Sequence, residues 1–201
     1  MLNILLTGVG GQGTVLSAKL LAQAAQNKGW HVRTAETIGM AQRGGSVVSH
    51  VRMGNNGERV SAPLICQAKA NLIIAFEPAE AARVLPYLLE GGTLVSASFG
   101  ISPVTSALSK KPYETDKIVE GLQAQVDKFV AVDNLLLVNQ LKSEKALNIM
   151  LLTIALEFAN CGISVSDLKA AILDCVKPRF IDMNMKAIDI ALDYCAKIAR
   201  D

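Results

Sequence analysis

The sequence predicts an α/β protein: a Rossmann-like, mostly parallel sheet flanked by helices, with a helical C-terminal third. Three observations predict it. A short apolar strand pattern, Asn3–Thr7, runs into a glycine cluster and then into a helical pattern reaching Lys28. Asn71–Phe76 is a nearly continuous apolar run, as expected of a central parallel strand. From Asn134 onward the apolar positions recur at helical spacing almost throughout.

Taken in order, the first helix places Ala18, Leu21, Ala22 and Ala25 on one face and stops at Gly29, a residue suited to a C-terminal cap. Strand two, His31–Ala35, completes a first βαβ unit and precedes a loop over Glu36–Ser46. Val47–Met53 alternates as a strand does, and Asn55-Asn56-Gly57 marks a turn compatible with a hairpin into Glu58–Ser61. After the Asn71–Phe76 strand, Pro78 opens a helix over Ala79–Leu89 that ends at Gly91-Gly92. Thr93–Ala97 is the next strand, Ser98–Tyr113 an irregular loop, Glu114–Gln125 a helix and Lys128–Val132 a last short strand. Helices then follow over Leu135–Gln140, Ser143–Ala159, Ser164–Leu173 and Phe180–Ala199. No repeat, linker or low-complexity segment interrupts them, so residues 1–201 read as one domain.

Composition narrows the class. Apolar residues make up 51% and charged residues 19%, an apolar balance for a soluble monomer, and the excess points to a subunit interface. The longest apolar stretch, Ala146–Ala159, contains Asn148 and Glu157 and is too short to cross a bilayer. The first residues read as a strand rather than a signal peptide, which makes the cytoplasm the default compartment. A net charge of +2 with scattered Lys and Arg argues against nucleic acid as the main partner. The four cysteines, Cys66, Cys161, Cys175 and Cys195, form no closely spaced pair of the kind a cluster or structural zinc needs. Cys161, Cys175 and Cys195 read as small buried hydrophobes. His31 and His50 lie in strand patterns and receive no role.

Two motifs carry chemistry. Gly8-Val9-Gly10-Gly11-Gln12-Gly13, followed by Thr14, fits a glycine turn between strand and helix. There the backbone comes close to an anionic group, and the helix end offers free N–H groups and its positive dipole. Glu36, at the end of strand two, stands where a ribose-binding acid belongs in a dinucleotide fold. NAD(P) or FAD binding and mere tight strand–helix packing are both compatible with this fingerprint. The second motif is Gln42-Arg43-Gly44-Gly45-Ser46. Its fixed cation, permissive backbone and hydroxyl can wrap a phosphate or carboxylate, can meet a partner chain, or can form an ordinary solvated turn. No Gly-Lys-Ser/Thr follows the first glycines, no Gly-x-Ser-x-Gly elbow occurs, and no metal-ligand set clusters in the sequence. A glycine site without a reaction centre suggests one piece of a larger assembly.

Gly8–Gly13, the stretch Glu36–Arg52 with its Gly39-Met40-Ala41-Gln42-Arg43-Gly44-Gly45-Ser46 string, Asn71–Glu77, Glu90-Gly91-Gly92, Asn148 and Met183–Ala187 together resemble the gamma-type subunits of the 2-oxoacid:ferredoxin oxidoreductases. Within that family the Gly39–Ser46 string is especially similar to the indolepyruvate type. The resemblance covers nearly the whole chain and departs from many relatives at Ile38-Gly39. It implies a subunit, inactive alone, of an enzyme converting a 2-oxoacid, coenzyme A and oxidised ferredoxin to acyl-CoA, carbon dioxide and reduced ferredoxin. It further implies that thiamine diphosphate, magnesium and [4Fe-4S] clusters reside on a large alpha subunit. Coenzyme A is then a co-substrate and ferredoxin the electron acceptor. The state expected is a hetero-oligomer, with a homodimer open to the isolated chain. The candidate binding residues are Gly8, Gly10, Gly11, Gln12, Gly13, Thr14, Glu36, Arg43, Gly44, Gly45 and Ser46; no residue is assigned as catalytic, and Arg43 is the candidate at the shared active site. A free-standing NAD(P)- or FAD-dependent oxidoreductase and a non-enzymatic nucleotide-binding module are the alternatives.

Overall fold

The computed structural model describes residues 1–39, 45–101 and 113–198. Arg43 and Gly44 of the second motif therefore lie outside the described residues, as does most of the Ser98–Tyr113 segment. Among the described residues the strands β1 (Leu2–Val9), β2 (His31–Ile38), β3 (Ser46–Gly54), β4 (Ala70–Ala75), β5 (Leu88–Ala97) and β6 (Lys128–Val132) form one sheet in the order β2-β3-β1-β4-β5-β6. β1, β4, β5 and β6 are parallel neighbours, and β3 alone runs against the rest.

Alternation along β1 sorts the two faces, with Ile4 and Leu6 in one core and Leu5 in the other. The first face is covered by α1 (Thr14–Asn27), α5 (Leu147–Ala159), α6 (Val165–Cys175) and α7 (Ile181–Ile198). The second carries α2 (Pro78–Val84) and α3 (Thr115–Gln125), while α4 (Asn134–Leu141) follows β6. Helix α5 is buried at every position from Asn148 to Leu156, as a helix apolar all round must be. Ser164 and Asp167 close a capping box on α6: the Ser164 N–H donates to Asp167 Oδ2 at 2.8 Å and the Asp167 N–H to Ser164 Oγ at 3.2 Å.

Four expectations are corrected. β2 does not lie beside β1, because β3 is inserted between them, with Leu6 opposite Ser49 and Ser49 opposite Glu36. β2 also continues to Ile38, past the Ala35 expected, and the Gly39 N–H donates to Ser46 O at 3.0 Å. Residues 58–61 form no strand; their backbone instead meets a side chain, Val60 N–H donating to His31 Nδ1 at 3.1 Å. Finally, α2 ends at Val84 because Pro86 cannot continue it, and β5 already begins at Leu88. Gly91-Gly92 sits inside β5 where the pairing with β4 shifts register, and a Cβ on Gly92 would stand 2.8 Å from Leu89 O.

Candidate functional site

The site is built at the C-terminal ends of the parallel strands, where α1 leaves β1 toward one face and α2 leaves β4 toward the other. That divergence opens a crevice in any α/β sheet. Here it is a cleft of about 450 Å³ floored by Gly10, Gly11, Gln12 and Gly13, a volume suited to a small ligand. Its walls are Leu16, Phe76, Phe99, Gly100, Ile101, Asn134, Leu135, Val138, Glu144, Lys145, Leu147 and Asn148.

The floor is held from within. Gln12 Oε1 accepts the Val9 N–H at 2.8 Å while Nε2 donates to Phe76 O at 2.9 Å, tying the glycine turn to the end of β4. Gly8 has no room for a side chain, since a Cβ would stand 2.7 Å from Gln12 Oε1. Gly11 and Gly13 take φ of +104° and +83°, left-handed values that glycine adopts without strain. Gly13 caps α1 with no side-chain bond, and Ser17 is the first residue whose N–H finds a helical acceptor, Gly13 O at 3.0 Å. Among the described residues the N–H groups of Thr14, Val15 and Leu16 have no acceptor outside the helix. With the positive dipole end, these free donors give the corner the chemistry to hold an anionic group. Lys145 adds a side-chain cation to the lining.

The predicted residues divide. Gly10, Gly11, Gln12 and Gly13 line the cleft, and Gly8 packs beneath them. Gly45 is brought alongside, its carbonyl accepting the Gly10 N–H at 2.9 Å. Ser46 turns away from the cleft and donates to Glu80 Oε2 at 2.5 Å. Thr14 faces inward at 3% exposure, its hydroxyl without a partner among the described residues. Glu36 is exposed on β2, separated from β1 by the whole width of β3. It therefore does not stand beside the glycine turn as the acid of a dinucleotide fold does.

Several contributors were not anticipated. Asn134 exchanges two bonds with Phe99, Oδ1 accepting its N–H at 2.9 Å and Nδ2 donating to its carbonyl at 3.1 Å. Asn148 Nδ2 donates to Ser17 Oγ at 3.3 Å and lies 3.5 Å from Gly13 O. Its position as a polar residue in an apolar helix was the signal that could have found it. Leu16, Phe99, Ile101 and Leu135 are exposed large apolar side chains on the cleft wall, with Val15 and Leu136 beside them in sequence. Exposed apolar clusters of this kind mark contact surfaces.

His50 and Cys195 lie outside the cleft lining. His50 Nδ1 accepts the Ile65 N–H at 3.2 Å, and burial lowers its pKa. Burial, followed by the nearby Glu157 charge, pushes the Cys195 thiol up to about 11, away from nucleophile chemistry. Cys195 is buried and Cys161 and Cys175 are half-buried, whereas Cys66 is exposed. Among the described residues no three His, Cys, Asp or Glu side chains gather as a metal site, and no helix is long and apolar enough to cross a membrane.

The profile of the pyruvate ferredoxin/flavodoxin oxidoreductase family matches residues 3–194. The chain is 35% identical over 189 residues to indolepyruvate oxidoreductase subunit IorB of Archaeoglobus fulgidus, covering 93% of this chain and 92% of that one. Its fold matches the gamma subunit of a keto/oxoacid ferredoxin oxidoreductase from Geobacter sulfurreducens with a TM-score of 0.70, at 20% identity, over 98% of this chain and 99% of that one. It also matches, with a TM-score of 0.68 and 20% identity, 2-oxoglutarate:ferredoxin oxidoreductase from Magnetococcus marinus with 2-oxoglutarate, coenzyme A and succinyl-CoA bound, covering 98% of this chain but 31% of that one. Matched along nearly its whole length, the chain belongs to the pyruvate ferredoxin/flavodoxin oxidoreductase family, as a small subunit of a 2-oxoacid:ferredoxin oxidoreductase.

Proposed function

We propose that the chain serves an indolepyruvate-type enzyme, in which an aryl 2-oxoacid is oxidatively decarboxylated and its acyl group passes to coenzyme A. The observation that carries this reading is the glycine-floored cleft, with an anion-binding corner at α1, Lys145 on its wall and exposed apolar side chains around it. One end of coenzyme A fits that chemistry: phosphate to the free N–H groups and Lys145, the pantetheine arm along the apolar wall. A cleft of about 450 Å³ holds part of so long a molecule, leaving the thiol to reach a partner chain.

The donor chemistry does not suit thiamine diphosphate with magnesium or a [4Fe-4S] cluster on the described residues, whose four cysteines are dispersed. The large partner subunit is the place for both, and electrons leave from there to ferredoxin. This chain's residues bind, orient and exclude water. Gln12 and Asn148 fix the floor, Asn134 fixes the Phe99 wall, and Leu16, Phe99, Ile101 and Leu135 dry the joint when the partner seats on them. Arg43, outside the described residues, is assigned the two-pronged contact to an anion at that joint. The free cysteines suit a reducing cytoplasm. The alternative of a dinucleotide oxidoreductase or nucleotide-sensing module loses support because β3 separates Glu36 from the glycine turn.

The test is reconstitution from separately purified subunits. The chain alone is expected to be colourless and inactive, and the complex to reduce viologen dependent on indolepyruvate and coenzyme A. Arg43→Ala should cost roughly 2–5 kcal/mol in that assay if the arginine meets a buried anion, with Arg43→Lys rescuing only in part. A large subunit equally active without this chain sinks the proposal, as does an iron–sulfur absorption band in the single chain.

A further inference from the structure

The head of α2 carries two buried carboxylates, Glu77 at 2% exposure and Glu80 at 5%. Two carboxylates three residues apart are costly to bury unless each is well partnered. Their partners stand behind two parts of the cleft lining, Ser46 beside the chain that holds Gly10 and Tyr113 against Gly100. Glu80 Oε2 accepts the Ser46 hydroxyl at 2.5 Å, and Oε1 accepts Arg83 Nε at 3.3 Å. Next to Ser46, the Gly45 carbonyl holds the Gly10 N–H of the cleft floor at 2.9 Å. Glu77 Oε2 accepts the Glu80 N–H at 2.9 Å, capping α2, and Oε1 accepts the Tyr113 hydroxyl. Tyr113 and Glu77 crowd the wall at Gly100: a Cβ there would stand 2.7 Å from Tyr113 Cε1 and would overlap the Glu77 carboxylate. Burial first, then the Glu77 contact, raises the Tyr113 pKa, so the phenol remains a donor.

We propose that Glu77 and Glu80 are positioning residues that set two parts of the cleft lining from a single helical turn, the Gly10 floor through Ser46 and the Phe99-Gly100 wall through Tyr113. For its effect on coenzyme A the proposal rests on the reading of the cleft given above; the positioning itself rests on the contacts.

The test uses the full chain and the assembled complex. In the full chain, amide hydrogen exchange is followed at Gly10, bonded to Gly45 O, and at Phe99, bonded to Asn134 Oδ1. Ser46→Ala should speed exchange at Gly10 about tenfold, the effect of one lost charge-assisted hydrogen bond, with global unfolding little changed. Ser46→Thr should restore it, and Glu80→Ala combined with Ser46→Ala should add nothing to the single variant. Tyr113→Phe should act the same way at Phe99 and leave Gly10 alone. In the complex both single variants should raise KM for coenzyme A while kcat holds. Unchanged exchange at Gly10 in Ser46→Ala and at Phe99 in Tyr113→Phe overturns the proposal. Exchange that moves while KM for coenzyme A does not supports the positioning and removes coenzyme A from the cleft.

Discussion

Asn148 fills the space that a side chain at residue 13 would need. A Cβ on Gly13 would stand 2.7 Å from Asn148 Nδ2, and the same amide donates to Ser17 Oγ at 3.3 Å. Gly13 is therefore fixed twice, by a φ of +83° and by a neighbour from a helix far along the chain. Gly13→Ala is expected to destabilise by roughly 2–4 kcal/mol, summing left-handed strain and overpacking. Asn148→Ala in the same chain should recover the overpacking part alone. A double-mutant cycle by urea denaturation measures it, and strict additivity would disprove the contact's role.

Gln12 bridges the glycine turn and β4 through both ends of its amide. Gln12→Ala leaves the Val9 N–H and the Phe76 carbonyl without these partners and should cost about 1–3 kcal/mol. Gln12→Glu should be worse at neutral pH, because a carboxylate faces the Phe76 carbonyl in place of a donor. Chemical denaturation of the two variants gives the order, and equal stability would show that the bridge is idle.

His50 makes stability depend on pH. Burial lowers its folded-state pKa below the ordinary 6.5, and its Nδ1 must stay unprotonated to accept from Ile65. Below that ordinary value the unfolded chain takes up a proton that the folded chain does not, so stability falls as pH drops and rises as pH climbs back. Above it both states are neutral and the dependence vanishes. Urea midpoints at neutral and mildly acidic pH should separate in the wild type and converge in His50→Asn. A slope that survives His50→Asn assigns the effect elsewhere.

Lys145 is exposed, so its contribution to folding is small and its contribution to an anionic ligand is screened. Lys145→Gln should raise KM for coenzyme A in the assembled complex about three- to tenfold without altering thermal unfolding. The difference between variant and wild type should shrink with added salt. A salt-independent difference would mean that the lysine acts through packing.

Much of the fold was legible because it follows local rules. The strand–glycine–helix opening, the buried run of β4 and the apolar α5 each follow from period or propensity within a few residues. The glycine turn between strand and helix was legible for the same reason, since backbone spacing at a helix start is a local property. Pro78 announced the start of α2, but Gly91-Gly92, inside β5 where the pairing shifts register, was read as a helix end, because glycine after a helical pattern looks like a cap.

Tertiary structure alone decided which strands meet. Period-2 alternation tells a strand from a helix but not its neighbour. β3 entered between β2 and β1 because it pairs with both along its full length, which no local pattern records. That insertion carried Glu36 away from the glycine turn and brought the Gly45 carbonyl onto the Gly10 N–H. It also set Ser46 against Glu80, as the fold set Asn148 against Gly13 and Tyr113 against Glu77. The sequence by itself determined most of the elements and the strand–glycine–helix junction, though not the bounds of β2, α2 and β5. The partners of each buried polar group were decided only when the chain closed, because a hydrogen bond between distant residues depends on packing that neither residue specifies alone.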